Sequence, residues 1–153
     1  METPLASPKY HLKPATAADA SRIRQIISMA HINPTALNWR RFILAVDQAG
    51  IIIGCGQVKP HAGGLHELAS LAVLPDRRNR GVARSMIEYL LQQYTGTLYL
   101  TCRASLEPLY QKFGFQAVQY EQMPVYYRRL SKLANLFNRF FRFSERLLVM
   151  RRN

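Results

Sequence analysis

Arg77, Arg78 and Arg80 stand immediately before Gly81, and Arg84 follows three residues later. They sit in the stretch LAVLPDRRNRGVARSMIEYL (71–90), where an apolar run gives way to a helical pattern. Like charges repel, and a helix N-terminus already carries partial positive charge, so it favours anions. Four cations at that point make physical sense around a multiply charged anion. Small residues at 81 and 83 let the backbone approach such a ligand closely. The N–H groups of the first helical turn have no intrahelical partner and form a concave cradle, reinforced by the helix dipole. Arginines on the rim pair with outlying phosphates in bidentate fashion. The pattern Arg78-x-x-Gly81-x-Ala83 therefore reads as a pyrophosphate site.

Other phosphate and metal chemistries find no support. The string G-x-x-x-x-G-K-[ST] of a P-loop does not occur. GCGQVK (54–59) begins like a dinucleotide fingerprint, but it lacks the third glycine and sits inside a strand pattern. The four histidines His11, His31, His61 and His66 form no ligand motif, and no zinc spacing appears, so no metal is expected. Cys55 and Cys102 lie far apart in apolar stretches, which suits buried thiols in a reducing compartment rather than a disulfide framework.

The elements that must position these residues follow from periodicity. Residues 9–13 read as a first strand ending at Pro14. ATAADASRIRQIISMA reads as a helix with Thr16 as N-cap, Asp19 three residues on, and an apolar stripe of Ile23, Ile26, Ile27 and Ala30. NPTALNWRR is a short helix or loop. RFILAVD and IIIGCGQVK flank the turn QAG as a hairpin, and LHELASLAV extends it to a three-strand antiparallel meander over residues 41–73. A helix follows, with Val82, Met86, Leu90 and Tyr94 at four-residue steps. GTLYLTC is a strand, SLEPLYQKFGF a short helix ended by Gly114, and FQAVQY a strand. From Pro124 a helix is expected with Tyr126, Leu130, Leu133, Phe137 and Phe140 on one face, and Arg128, Arg129, Lys132, Arg139 and Arg142 on the others. RLLVMRR closes the chain as a strand. The order β-α-(α)-β-β-β-α-β-α-β-α-β predicts an α/β protein of the α+β type, with a mixed, mostly antiparallel central sheet of about six or seven strands flanked by helices.

With 153 residues, 48% of them apolar and 20% charged, the chain fits one domain with a real core. Against 9 acidic residues stand 21 basic ones, for a net charge of +12. Such a charge attracts phosphates, nucleic acid, an anionic membrane surface or an acidic cofactor. Residues 122–153 hold eight of the Lys and Arg and a single Glu. METPLASPKY has neither a basic start nor an apolar core, so no secretory signal is expected there, and no apolar run reaches membrane-span length. A cytoplasmic location is the expectation.

At these residues the chain resembles the GNAT family of N-acetyltransferases. LAVLPDRRNRGVARSMIEYL is similar to the family's acetyl-CoA motif, [Q/R]-x-x-G-x-[G/A] after a strand. EPLYQKFGF (107–115) is similar to its second signature, a helix bearing Tyr followed by Gly-Phe. The resemblance runs from about residue 9 to 119 and implies the GNAT fold, acetyl-CoA as cosubstrate, and transfer of its acetyl group to a primary amine. It implies that backbone groups of Leu71, Ala72 and Val73 pair with the pantetheine arm. Arg78, Asn79, Arg80, Gly81, Val82, Ala83 and Arg84 would hold the pyrophosphate through their N–H groups, with the Ser85 hydroxyl as a helper. Tyr110 would protonate the departing thiolate, a phenol of pKa near 10 being matched to a thiol; the alternative is an aromatic packed in the core. Family members often carry Asn seven residues before this Tyr, where this chain has Arg103, an alternative phosphate contact.

Attack by the amine needs a base. Glu67 lies six residues before Val73, and even spacing puts the two on one face of the strand unless a bulge intervenes. Histone acetyltransferases of the family carry a glutamate base at this offset. A solvated or salt-bridged Glu67 is the alternative, as is a base-free route through ordered water. His66 falls on the opposite face. Trp39 either lines the acceptor cleft or packs in the core.

The basic segment 124–143 goes beyond the family pattern. Its apolar stripe packs on the domain, or the segment meets an anionic membrane or a partner; nucleic acid is disfavoured because no binding module is recognisable. Two further alternatives are a non-catalytic CoA-binding relative and an adaptor acting through this helix. A homodimer is also open. The acceptor amine is not readable, although +12 disfavours a strongly cationic one.

Overall fold

The computed structural model describes residues 9–141 and 145–153. Residues 1–8, which hold most of the stretch read for a signal, lie outside it, as do Arg142 and Phe143 and the side chains of Arg139, Phe140 and Phe141. The strands are β1 (Tyr10–Pro14), β2 (Phe42–Asp47), β3 (Ile52–Pro60), β4 (His66–Val73), β5 (Leu98–Arg103), β6 (Gln116–Ala117) and β7 (Leu147–Arg152). The helices are α1 (Ala20–Met29), α2 (Val82–Gln93), α3 (Glu107–Gln111) and α4 (Val125–Phe141). They form one seven-stranded sheet of order β1-β2-β3-β4-β5-β7-β6. β1–β2, β2–β3, β5–β7 and β6–β7 pair antiparallel, while β4 and β5 run parallel. The mixed, mostly antiparallel sheet expected from the sequence is present.

The chain divides into two compact units, one of residues up to Lys59 with Leu68–Thr95, the other of Pro60–Glu67 with Gly96–Asn153. In the first unit, α1 begins where the Asp19 carboxylate accepts bonds from the Thr16 amide (2.8 Å) and hydroxyl (2.9 Å). Its stripe of Ile23, Ile26 and Ile27 is buried against Phe42, Leu44, Val46 and Cys55. The glycines beside Cys55 face the other way, as strand alternation requires. A Cβ on Gly54 would lie 3.0 Å from Met86 Cε, and one on Gly56 3.0 Å from Leu71 Cδ1 and 3.4 Å from Leu90 Cδ1. GCG at 54–56 thus lets α2 lie close against β3. The hairpin turn after β2 is tied by Asp47, whose carboxylate accepts from the amides of Ala49 (3.0 Å) and Ile51 (2.9 Å).

In the second unit Phe115 is fully buried and packs edge-to-face with Tyr110, ring centroids 6.1 Å apart. The strand expected over FQAVQY is only two residues long. Its pairing with β7 ends after the Val118 amide bonds to the Val149 carbonyl (2.8 Å), because a single 3-10 turn forms at Tyr120–Gln122.

The face of α4 also differs from expectation. Tyr127, not Tyr126, is the fully buried anchor, stacked on Tyr99 at 5.1 Å and packed with Val149, Leu65, Met123 and Leu130. Of the expected stripe, Leu130 is half-buried, whereas Tyr126, Leu133 and Phe137 are exposed. A 3.6-residue period locates stripes on a helix but does not say which one meets the sheet.

Candidate functional site

The arginine turn belongs to the first unit. β4 ends at Val73, a 3-10 turn spans Pro75–Arg77, and α2 opens at Val82 behind Gly81. Gly81 has φ 79° and Asn79 φ 60°, both in the left-handed region that glycine and asparagine tolerate best. A Cβ on Gly81 would meet only the Tyr10 hydroxyl, at 3.9 Å, so the backbone conformation requires glycine and the space above the turn is open. The Ser85 amide bonds back to the Gly81 carbonyl (3.0 Å). By helix geometry the preceding amides of Val82, Ala83 and Arg84 find no intrahelical acceptor. Ser85 Oγ pairs with the Tyr10 hydroxyl (2.7 Å), which fixes the rotamer of the hydroxyl named as a phosphate helper.

The arginines divide into separate tasks. Arg77 bridges Asp47 (3.1 Å) and Asp76 (3.3 Å), tying the turn to the β2 hairpin. Arg78 Nε donates to the Val73 carbonyl (3.2 Å), and Arg84 pairs with Glu88 (2.9 Å) one turn along α2. Arg80 is exposed and has no ion pair among the described residues. The protein's own carboxylates thus neutralise part of the crowding that the sequence raised.

β4 carries the other backbone groups of interest. Among the described residues, its ladder with β5 takes in only the pair Glu67↔Tyr99. Ser70 has φ 55°, a left-handed residue inside the strand. A bulge of this kind breaks two-residue alternation, so the even count from Glu67 to Val73 does not place them on one face. A buried network holds the bulge: Gln57 Nε2 donates to Ser70 Oγ (2.9 Å) and to the Ala36 carbonyl (3.4 Å). The Cys55 thiol meets the Ser70 carbonyl at 3.8 Å, and its burial pushes the thiol pKa up to about 12, as befits a core residue. Trp39 packs on the α1 core under the Arg40 guanidinium (4.4 Å).

In the second unit Glu67 is buried, at 6% exposure. Its carboxylate is hydrogen-bonded to His61 Nε2. The His61 ring lies on Tyr126 (4.3 Å) and near Tyr127 (6.3 Å). Burial pushes the Tyr127 hydroxyl pKa upward, and the adjacent Glu67 charge adds to it. His66, beside Glu67, meets the Gly64 carbonyl at 3.2 Å instead. No sequence signal pointed to His61 or Tyr127: His61 meets Glu67 across the turn between β3 and β4, and Tyr127 reaches Tyr99 only in the folded chain.

Tyr110 sits on α3, 8% exposed. Burial, with a smaller effect from Cys102, pushes its pKa up to about 12. Burial likewise raises the Cys102 thiol to about 11, and its sulfur lies 3.8 Å from that of Met150. Burial thus makes this phenol a weaker acid than a tyrosine in water, while its O–H remains a hydrogen-bond donor. Arg103 is exposed at the end of β5.

Residues 38–117, just over half of the chain, match the profile of the acetyltransferase (GNAT) domain. No curated relative matches the chain. Among solved structures, N-acetylglutamate synthase from Neisseria gonorrhoeae, complexed with coenzyme A and N-acetyl-glutamate, is similar with TM-score 0.69 and 16% identity. The match covers 94% of this chain and 34% of that one. A Mycobacterium tuberculosis protein solved in complex with CoA has TM-score 0.68 at 17% identity, covering 93% of this chain and 98% of that one. A GNAT-family acetyltransferase from Staphylococcus aureus has TM-score 0.68 at 13% identity, covering 94% and 98%. The chain spans about a third of the length of the synthase. Identities this low show the fold and leave substrates to each protein's own site.

Proposed function

The chain belongs to the acetyltransferase (GNAT) family, and on that footing we propose that residues 1–153 form a single acetyl-CoA-dependent N-acetyltransferase domain working in the cytoplasm. The observation that carries the donor half is the open turn at the start of α2, with Asn79 and Gly81 left-handed and Arg80 exposed; helix geometry leaves its first-turn amides without intrahelical acceptors. In this reading the N–H groups from Arg78 to Arg84 hold the pyrophosphate, and the Tyr10-oriented Ser85 hydroxyl assists. Leu71, Ala72 and Val73 extend backbone groups to the pantetheine arm as a neighbouring strand would.

The neutral amine attacks the thioester carbonyl carbon, a C–N bond forms, and the C–S bond breaks to leave thiolate. Glu67 takes the proton that the nitrogen loses, and its bond to His61 fixes the carboxylate. Tyr110 remains protonated far above neutral pH and donates a hydrogen bond to the developing thiolate, stabilising charge in the transition state rather than surrendering its proton. The acceptor is a primary amine of a small molecule or protein.

Gly81→Glu tests the donor site by placing bulk and negative charge against the pyrophosphate. Calorimetry is expected to show CoA binding abolished, and intact binding would remove the turn from the reading. Thiol release from acetyl-CoA, followed over a panel of amines, tests catalysis. CoA binding without turnover on any amine would instead assign a non-catalytic CoA-binding role.

A further inference from the structure

The acetyl-transfer reading leaves α4 unused. Helix α4 has three arcs, of which the innermost is buried in the second unit. The inner arc is Tyr127, Leu130, Ser131 and Ala134, buried or half-buried, with the Ser131 hydroxyl 3.5 Å from Met123 Sδ. Beside it runs an apolar stripe at helical spacing, Tyr126 (38% exposed), Leu133 (52%) and Phe137 (48%), widened by Leu136 (52%). With Val125, α4 supplies five of the nine exposed large apolar side chains among the described residues, so the apolar surface is concentrated here rather than scattered. The third arc, opposite the buried one, carries the exposed Arg129 and Lys132 with Leu136 between them.

The charge pattern identifies what covers this surface. Residues 125–141 contain no Asp or Glu, and Lys132 Nζ sits 5.9 Å over the Tyr120 ring rather than on a carboxylate. A protein partner of ordinary composition does not require aliphatic side chains side by side along one helix with cations that have no ion pair among the described residues. Nucleic acid attracts the cations but has no use for Leu133 and Leu136 in the same strip. An anionic bilayer surface takes both at once, acyl chains receiving the leucines and phenylalanine while headgroups pair with the Lys and Arg at the rim. Among the described residues no helix is long and apolar enough to cross a membrane, so α4 would lie in the interface plane. We infer that the exposed flank of α4, Leu133, Leu136 and Phe137 with Arg129 and Lys132, docks the protein on an anionic phospholipid surface.

The test is co-sedimentation of the full chain with phosphatidylcholine vesicles, with and without phosphatidylserine. The chain is expected to pellet with the phosphatidylserine vesicles and to remain in the supernatant with phosphatidylcholine alone. Leu133→Glu/Leu136→Glu and Arg129→Glu/Lys132→Glu are each expected to weaken pelleting by about tenfold or more, while CoA affinity stays unchanged. If the leucine pair fails to fold by circular dichroism, the single Leu133→Ser serves in its place. Anionic-vesicle binding untouched by the leucine changes, with only the charge reversal reducing it, would overturn the docking geometry in favour of general polyanion attraction. So would single-stranded RNA binding that displaces the vesicles. Size exclusion showing a dimer that the leucine changes dissolve would assign the stripe to a second copy instead.

Discussion

Burial changes what Tyr110 is suited to do in the proposed transfer. In water a phenol and a thiol are near enough in pKa for proton transfer, but burial of the phenol on α3 pushes it up to about 12. The hydrogen bond it can donate survives that shift, whereas the proton it could surrender becomes expensive. Tyr110→Phe is expected to lower turnover by about a hundredfold with CoA affinity held within about twofold, measured by steady-state kinetics and calorimetry. Because the raised pKa keeps the hydroxyl protonated below about pH 12, the wild-type rate profile should show no alkaline fall from Tyr110 up to pH 11. Tyr127 is the residue on which the second unit's small core depends, fully buried against Tyr99 and Val149. Tyr127→Ala is expected to cost about 3–5 kcal/mol, read from chemical denaturation.

The 72–82 turn is held by elements that precede it by 25 residues or more in the chain. Asp47 closes the β2 hairpin through the Ile51 and Ala49 amides and reaches Arg77. The bond from the Ile51 amide, then that from Ala49 and the Arg77 charge, holds the Asp47 carboxyl below its ordinary pKa of 3.8. A depressed folded-state pKa gives stability that is present above the unfolded value and lost as pH falls through the folded one. Asp47→Asn should therefore be less stable than wild type at pH 7, and the gap in urea midpoint should close as pH falls below about 4. Position 47 also bears on the site, because releasing Arg77 loosens the turn that presents Gly81. In the second unit α4 is anchored by its inner arc, and Leu133 and Leu136 on its outer side are exposed, where the lipid docking proposed above would take place.

Across the whole molecule the buried acids Cys55, Cys102 and Tyr110 all titrate late, their pKa values raised by burial to about 12, about 11 and about 12. The unfolded chain releases the same protons near 9 and 10. The stability these groups contribute is thus complete below pH 9 and is lost as pH rises toward 12. Thermal unfolding should show a midpoint flat from pH 7 to 9 and falling above it, and Cys55→Ala should flatten part of that fall. Reading residues in order already located the four α-helices and seven strands among the described residues, with β6 expected too long and 33–41 left as a short helix or loop. It also picked out the turn at Gly81 and the family, because helix periodicity, turn glycines and the R-x-x-G-x-A spacing are local signals that act over one or two turns of chain. The sheet order decided the rest. It brought Asp47 onto Arg77 and Tyr99 under Tyr127, and no spacing along the chain encodes those meetings; His61 meets Glu67 across the short turn between β3 and β4. It buried Tyr110 far enough to change its acidity, and it chose which arc of α4 faces inward. The bulge at Ser70 belongs with these, since the side to which a strand residue points follows from backbone torsions that Gln57 and its neighbours hold in place. Desolvation and charge pairing depend on which distant side chains share a volume, and only the folded chain settles that.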